Sequence, residues 1–229
     1  MILGLICARK NSKRLPGKNL LKINNKSLLA RSIEHGISCK QIDKVVVSTD
    51  CPIIANEGKK HGADIPFLRP DTLALDTTPE WKVWQYIIKH FKSNKVTALV
   101  ILPTTAPMRQ VGDIDNAIDI YNNQICDGVL TVTEASNNPS FNMVIENKYK
   151  FAELAIPSKE NFYRSQDAPK YYNITTVCYV MNPNFILKKN SMFEGNLKLN
   201  FVPEERSVDI DTEIDFLWAQ FLFNYYELD

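Results

Sequence analysis

Short apolar runs of strand length, at residues 2–7, 43–50, 96–102 and 128–134, alternate with segments whose apolar residues recur at helical spacing. Runs such as Val45-Val46-Val47 carry no polar alternation, as expected of strands buried on both faces. The segments between them are long enough to cross back over a sheet as helices. Ser27 is placed to cap a helix through Leu28, Leu29, Ser32, Ile33, Gly36 and Ile37. Pro52 opens a second helix that closes at Gly62, Trp81 to Ile88 forms a third, and Asp113 to Tyr121 a fourth. Phe67 and Leu68 read as a short strand before the turn at Pro70. The rhythm predicts an α/β class chain with a mainly parallel sheet covered on both faces.

The rhythm breaks near Ser136. From there to about residue 170 the chain is rich in Asn, Lys and Ser, with short alternating pieces, and reads as an inserted β-hairpin lobe. Ile174 to Met181 is a β-branched strand that returns to the main sheet. Thr212 caps a closing helix carrying Ile214, Phe216, Leu217, Ala219, Gln220 and Leu222, with Glu213 and Asp215 at its positive end. A chain of 229 residues can bury one substantial core, so residues 1–229 are expected to form a single domain.

Charge is balanced overall, 27 basic against 26 acidic residues, so no global field recruits nucleic acid. Five cysteines with no Cys-x-x-Cys pair indicate reduced thiols, hence a cytoplasmic setting, and no run approaches a membrane span. His35, His61 and His90 fall within or beside helices and read as structural or solvated.

Charge is nevertheless segregated along the chain. Between Arg9 and Lys22 lie six basic residues (Arg9, Lys10, Lys13, Arg14, Lys18 and Lys22) and no acidic one. Asn11, Ser12, Gly17 and Asn19 are interspersed. A basic, turn-prone loop leaving the end of a first strand is suited to hold a polyphosphate: Arg supplies forked donors, Lys a point charge, and Gly close backbone approach. Neither the Walker pattern nor the dinucleotide fingerprint is present. Residues 204–215 hold six acids against Arg206 alone. Asp209 and Asp211 alternate in an extended segment and so point the same way, as a sparse Mg²⁺ site requires. The competing reading is that Asp211 and Thr212 only cap the helix.

Arg69 with Asp76, Thr77 and Thr78 could hold a base and ribose, or form an ordinary surface loop. Arg109 could meet an anionic substrate, though pinning its loop is the favoured reading. Arg164 could pair with a substrate carboxylate, or simply with Asp167.

Taken together these residues resemble the cytidylyltransferases that activate nine-carbon ulosonic acids, the CMP-sialic acid synthetases and their legionaminate and pseudaminate relatives. The family motif Ala-Arg-x-x-Ser-Lys-x-x-Pro-x-Lys-Asn is matched by Ala8, Arg9, Ser12, Lys13, Pro16, Lys18 and Asn19. Ser48-Thr49-Asp50 matches a second motif, and Arg69, Pro70, Leu73, Ala74 and Asp76 a third. Pro103, Thr104, Pro107 and Arg109 match a fourth, and Asp209 to Asp215 the last. The resemblance implies a Rossmann-like three-layer nucleotidyltransferase fold whose lobe, about 136–170, serves dimerisation. It implies CTP phosphates on Arg9 and Lys18 with Ser12 and Asn19 nearby, and cytosine and ribose near Arg69 and the Asp76 loop. It further implies a homodimer, Mg²⁺ on Asp209 and Asp211, and a sugar acid near Thr104, Asn173 and Arg164, the last supplied by the lobe either to its own subunit or to the partner.

Two departures fall on the sugar side. Leu102 stands where the family usually has a Gln that touches the sugar, and Asn173-Ile174-Thr175-Thr176 replaces an Asn-Gly-Ala segment. Two rivals follow: activation of the eight-carbon 3-deoxy-manno-octulosonate, and a catalytically inactive sugar-nucleotide-binding protein of the same fold.

Overall fold

The computed structural model describes residues 1–92, 95–157, 164 and 167–228. Residues 158–163, 165 and 166 of the expected lobe lie outside them. Among the described residues, ten strands and six α-helices run in the order β1 (Ile2–Cys7), β2 (Lys22–Ile23), β3 (Lys26–Ser27), α1 (Leu28–Ser38), β4 (Lys44–Ser48), α2 (Pro52–Lys60), α3 (Glu80–His90), β5 (Ala98–Ile101), α4 (Val111–Asn123), β6 (Gly128–Glu134), β7 (Val144–Glu146), β8 (Ala152–Leu154), β9 (Tyr172–Met181), α5 (Pro183–Lys188), β10 (Leu197–Phe201) and α6 (Glu213–Tyr225).

Six strands form one sheet in the order β10-β6-β9-β5-β1-β4. The pairs β1/β4, β1/β5 and β6/β10 are parallel, whereas β9 runs antiparallel between β5 and β6. Successive residues of a strand face opposite sides. Ile6, Val45, Val47 and Val100 therefore pack with Leu29 and Ile33 of α1, Ile54 of α2 and Ile114 of α4. Leu3, Leu5, Val46 and Leu99 pack on the other face with Trp81, Trp84 and Ile87 of α3 and with Phe185 and Ile186 of α5. Helix, sheet, helix is the expected three-layer arrangement. All five cysteines are free thiols. Among the described residues no helix is long and apolar enough to cross a membrane.

Several local expectations are corrected. Phe67 and Leu68 form no strand, since the only pairing nearby is an isolated bridge from Val46 to Asp64. The hairpin β2/β3 turns through Asn24 and Asn25 at φ 48° and 64°, the two-residue left-handed turn that Asn tolerates. The closing helix is apolar on nearly every side. Ala219, Leu222 and Phe223 pack inward against Ile23, Leu28, Met108 and Ile210. Ile214 and Leu217 stay exposed beside an outer ladder in which Trp218 stacks on Phe221 at 5.3 Å and Phe221 on Tyr225 at 6.0 Å. The hairpin β7/β8 forms a separate two-stranded sheet with Val144 and Ile145 exposed.

Candidate active site

The loop after β1 leaves the carboxyl end of a parallel strand, where open α/β sheets bind ligands. Asn19 fixes it there. Buried among the strand ends, Asn19 donates through Nδ2 to the Arg9 carbonyl at 3.0 Å and accepts from Thr104 Oγ1 at 2.7 Å. Gly17 sits at φ 70° with open space where a Cβ would lie, so it is backbone conformation that requires glycine. The N–H groups of Lys18, Leu20 and Leu21 donate to Leu15, Gly17 and Lys18 carbonyls. Those three amides are spent within the turn, so at this end of the loop the Lys18 side chain rather than the backbone faces the cavity.

Facing the loop is the segment between β10 and α6. Ile210 is fully buried and its N–H donates to the Thr105 carbonyl at 2.9 Å, so the flanking aspartates turn toward the loop. Helix capping is performed by another pair. Thr212 Oγ1 accepts from Asp215 N, while Asp215 Oδ2 accepts from the N–H groups of Asp211 and Thr212 at 3.0 and 2.7 Å. The Asp211 carboxylate takes no part in the cap.

Between loop and aspartates lies a cavity of about 620 Å³, walled by Arg9, Ser12, Lys13, Arg14 and Lys18 on one side and Asp209, Asp211, Thr176, Tyr179 and Glu80 on the other. Thr104 and Thr105 form its floor. A larger groove of about 710 Å³ lies against the β2/β3 hairpin and α2; it has Lys22, Lys26 and Lys60 but no facing pair of carboxylates, and it is away from the strand ends. Chemistry therefore selects the smaller cavity. A recess of about 250 Å³ opens beside it, walled by Arg69, Leu73, Asp76, Thr78 and Glu80.

Opposite charges meet in the cavity as ion pairs. Arg9 and Lys13 both hold Asp76 at 2.7 Å, and Arg14 and Lys18 hold Asp211 at 2.8 and 3.1 Å. The hydrogen bond from Lys13, with help from Arg9, keeps the Asp76 carboxyl below its usual range. Asp209 is raised instead. It keeps contact with solvent, but partial burial disfavours its charge and Asp211 adds repulsion, against the favourable influence of the nearby Thr105, Thr176 and Lys18. A carboxylate repelled by a second one beside it suits a cation between the two. Among the described residues no group of three or more His, Cys, Asp or Glu could hold a metal ion. A Mg²⁺ ion here would draw two ligands from the chain and the rest from phosphate and water, its usual habit.

Other expected site residues divide clearly. Arg69 is buried and its guanidinium is fixed to Ser48, through Nε to Oγ at 3.0 Å and through Nη2 to the carbonyl, so it shapes the recess from below. Thr78 lines the recess while donating to the Thr72 carbonyl; Thr77 lines neither space. Ala8 is fully buried and contributes only its N–H, bonded to Ser48. Asn173 of β9 pairs in register with Thr133 of β6, exposed and off the cavity wall. Arg164 is exposed and paired with Asp167 at 3.1 Å. Leu102 is buried in the core, where its Cδ1 comes within 2.9 Å of the place a Gly36 Cβ would occupy, so this position has left the cavity altogether.

Glu80, Tyr179 and Cys7 were not singled out by the sequence, and Thr176 entered only as part of the segment that replaces Asn-Gly-Ala. The β6/β9 register shifts between Leu130 and Val132, a bulge that breaks the period of two and lets Thr176 and Tyr179, three residues apart, line one wall. Burial and the nearby Glu80 raise the Cys7 thiol, so it remains neutral. The histidines lie elsewhere. Burial pushes His35 down to about 3, His61 pairs with Glu57, and His90 packs on Phe67.

Comparison with known proteins gives a consistent picture. The family described as Cytidylyltransferase matches residues 3–211. A CMP-N,N'-diacetyllegionaminic acid synthase of Campylobacter jejuni is 34% identical, over 97% of this chain and 95% of its own. The post-translational flagellin modification protein B of Campylobacter coli is 33% identical, over 96% and 94%. In structure the chain is similar to a CMP:2-keto-3-deoxy-manno-octonic acid synthetase complexed with CTP, with a TM-score of 0.75 and 17% identity over 98% of this chain and 99% of that one. That last likeness concerns the fold.

Proposed function

Because the chain belongs to the cytidylyltransferase family, a family of nucleotidyltransferases, we propose that it activates a nine-carbon ulosonic acid of the legionaminate type with CTP, releasing pyrophosphate. The observation that carries this reading is the single cavity in which the Arg9–Lys18 loop faces Asp209 and Asp211. The sugar's anomeric hydroxyl forms a bond to the α-phosphorus, the bond from that phosphorus to the β-phosphate oxygen breaks, and the hydroxyl proton is lost. Such a displacement needs positioning and charge neutralisation above all. Arg9, Lys13, Arg14 and Lys18 bind the phosphates, Asn19 and Thr104 hold the loop in line, and the Arg69 recess receives the base and ribose. Asp209 and Asp211 would hold Mg²⁺, which would supply further neutralisation of phosphate charge.

The same reading treats residues 1–229 as one domain and 136–170 as a lobe that joins two copies, with Arg164 presented to the partner's sugar acid. The exposed Val144 and Ile145 of the β7/β8 hairpin support a partner for that lobe. Its setting is the cytoplasm, where CTP is supplied and the five thiols stay reduced.

Pyrophosphate release, measured with CTP, Mg²⁺ and a panel of ulosonic acids, tests the reading. Turnover is expected with a legionaminate-type acid. Turnover with 3-deoxy-manno-octulosonate alone would transfer the chain to the eight-carbon enzymes, and the absence of release with every acid would favour a binding protein. Asp209→Asn is expected to raise the Mg²⁺ concentration for half-maximal rate at least about tenfold, as loss of a metal-site carboxylate does. An unchanged metal titration would remove Asp209 from the metal site.

A further inference from the structure

The loop's cations are already occupied. Arg9 Nη1 meets Asp76 Oδ1 at 2.7 Å and Lys13 Nζ meets Asp76 Oδ2 at 2.7 Å. Arg14 Nη2 meets Asp211 Oδ2 at 2.8 Å, and Lys18 Nζ meets Asp211 Oδ1 at 3.1 Å while also donating to the Ile210 carbonyl at 2.8 Å. Each oxygen of both carboxylates thus holds one cation of the loop. These are the distances at which Arg and Lys hold phosphate oxygens. Asp76 stands on an exposed turn between the recess and the main cavity, and with both oxygens so engaged it is not poised to accept ribose hydroxyls.

We propose that Asp76 and Asp211 are internal stand-ins for the triphosphate, exchanged for phosphate oxygens when the nucleotide enters. Before that exchange they keep four long basic side chains pointing into the cavity, which would otherwise repel one another and spread into solvent. The exchange has an order built into it. Asp211 faces two cations until phosphate takes Arg14 and Lys18 from it, so the Asp209/Asp211 pair becomes available to a divalent cation only after the triphosphate has arrived. Asp76 is then a positioning residue and a competitor of phosphate, not a ligand of the nucleotide. This inference rests on the reading of the cavity as a triphosphate site.

Calorimetric titration in EDTA, with CTP and with inorganic tripolyphosphate as probes, separates the two levels. Asp76→Asn is expected to bind both probes more tightly than the wild type, several-fold and on the order of 3–10, because an exposed pair of ions no longer has to be broken. Its affinity should also fall more steeply with salt, since cations freed of Asp76 carry counterions that binding releases. Asp211→Asn should tighten metal-free binding in the same sense while losing Mg²⁺-dependent turnover. Mn²⁺ titrated alone should bind Arg14→Ala several-fold more tightly than the wild type, as Asp211 gains freedom. Asp76 is exposed, so an unchanged melting curve is expected to certify the fold of its variant. Equal or weaker binding of CTP by Asp76→Asn, with the wild type binding normally, would overturn this inference alone and make Asp76 a ligand. Equal Mn²⁺ affinity of Arg14→Ala and the wild type would overturn the ordered release of Asp211. Failure of the wild type to bind either probe would overturn the triphosphate reading and this inference together.

Discussion

Lys18→Ala is expected to lower kcat/KM for CTP by about 10²–10³-fold, the usual cost of removing one preorganised donor from a site where charge develops. The lysine is the most enclosed of the four cations, with 13% of its side chain exposed, and its ammonium bridges the Ile210 carbonyl and Asp211. It therefore touches both walls of the cavity at the point where a leaving pyrophosphate would need neutralising. Its stem follows Gly17, whose left-handed backbone aims it, and it contributes nothing to the three packed cores. Folding should survive the substitution. Lys18→Arg retains the charge but replaces a compact ammonium with a planar fork that cannot sit between the same two acceptors, so it should rescue only part of the loss. Pyrophosphate release measured beside thermal melting checks both halves. A kcat/KM within twofold of the wild type would take Lys18 out of the phosphate cradle.

Arg109→Ala is expected to act on the fold instead, at a cost of about 3–5 kcal/mol, as when a buried charged hydrogen-bonding group is deleted and its acceptors are stranded. The guanidinium is almost wholly buried beneath the strand ends. It donates to the carbonyls of Pro103, Thr176 and Val177 and reaches Ser32 Oγ at 3.4 Å. Burial lowers its pKa to about 10, still high enough to keep it charged at neutral pH. No substrate can meet a group so enclosed. Its function is to tie the turn after β5 to β9, so that Thr104 and Thr176 present themselves on the cavity wall. A loss of this size should lower the melting temperature by about 10 °C for a chain of this length. Urea denaturation gives the free energy directly. Lost activity with an unchanged urea midpoint would return Arg109 to a substrate-facing role.

The strands and helices of the first half were legible because their signals are local. β-branched runs mark β4 and β5, and the spacing of Trp81, Val83, Trp84, Ile87 and Ile88 marks α3. The cavity walls were legible for a related reason: a basic loop and the Asp209/Asp211 alternation are features of short segments. What stayed hidden depends on distant partners. Nothing in residues 172–181 announces that β9 enters antiparallel between β5 and β6, or that a bulge carries Thr176 and Tyr179 to one side. The outer aromatic ladder of α6 confounds a helical pattern because both faces are apolar, so spacing alone cannot tell the buried stripe of Ala219, Leu222 and Phe223 from the exposed one. The pairing of Asp76 with Arg9 and Lys13 spans more than sixty residues of chain, and no local pattern foretells it.

The position of β9 has a consequence for how the chain is made. β4 and β5 can each pair with β1 as soon as residue 101 has been synthesised, but β6 has no bond to any of the three. Only the arrival of residues 172–181 joins β6 to β5, and only residues 197–201 then cover the far edge. Until then the growing chain carries a three-stranded half-sheet with β5 as a bare apolar edge, the kind of edge on which strands of other molecules add. The last third of the protein is therefore both the completion of its sheet and its protection against aggregation during synthesis.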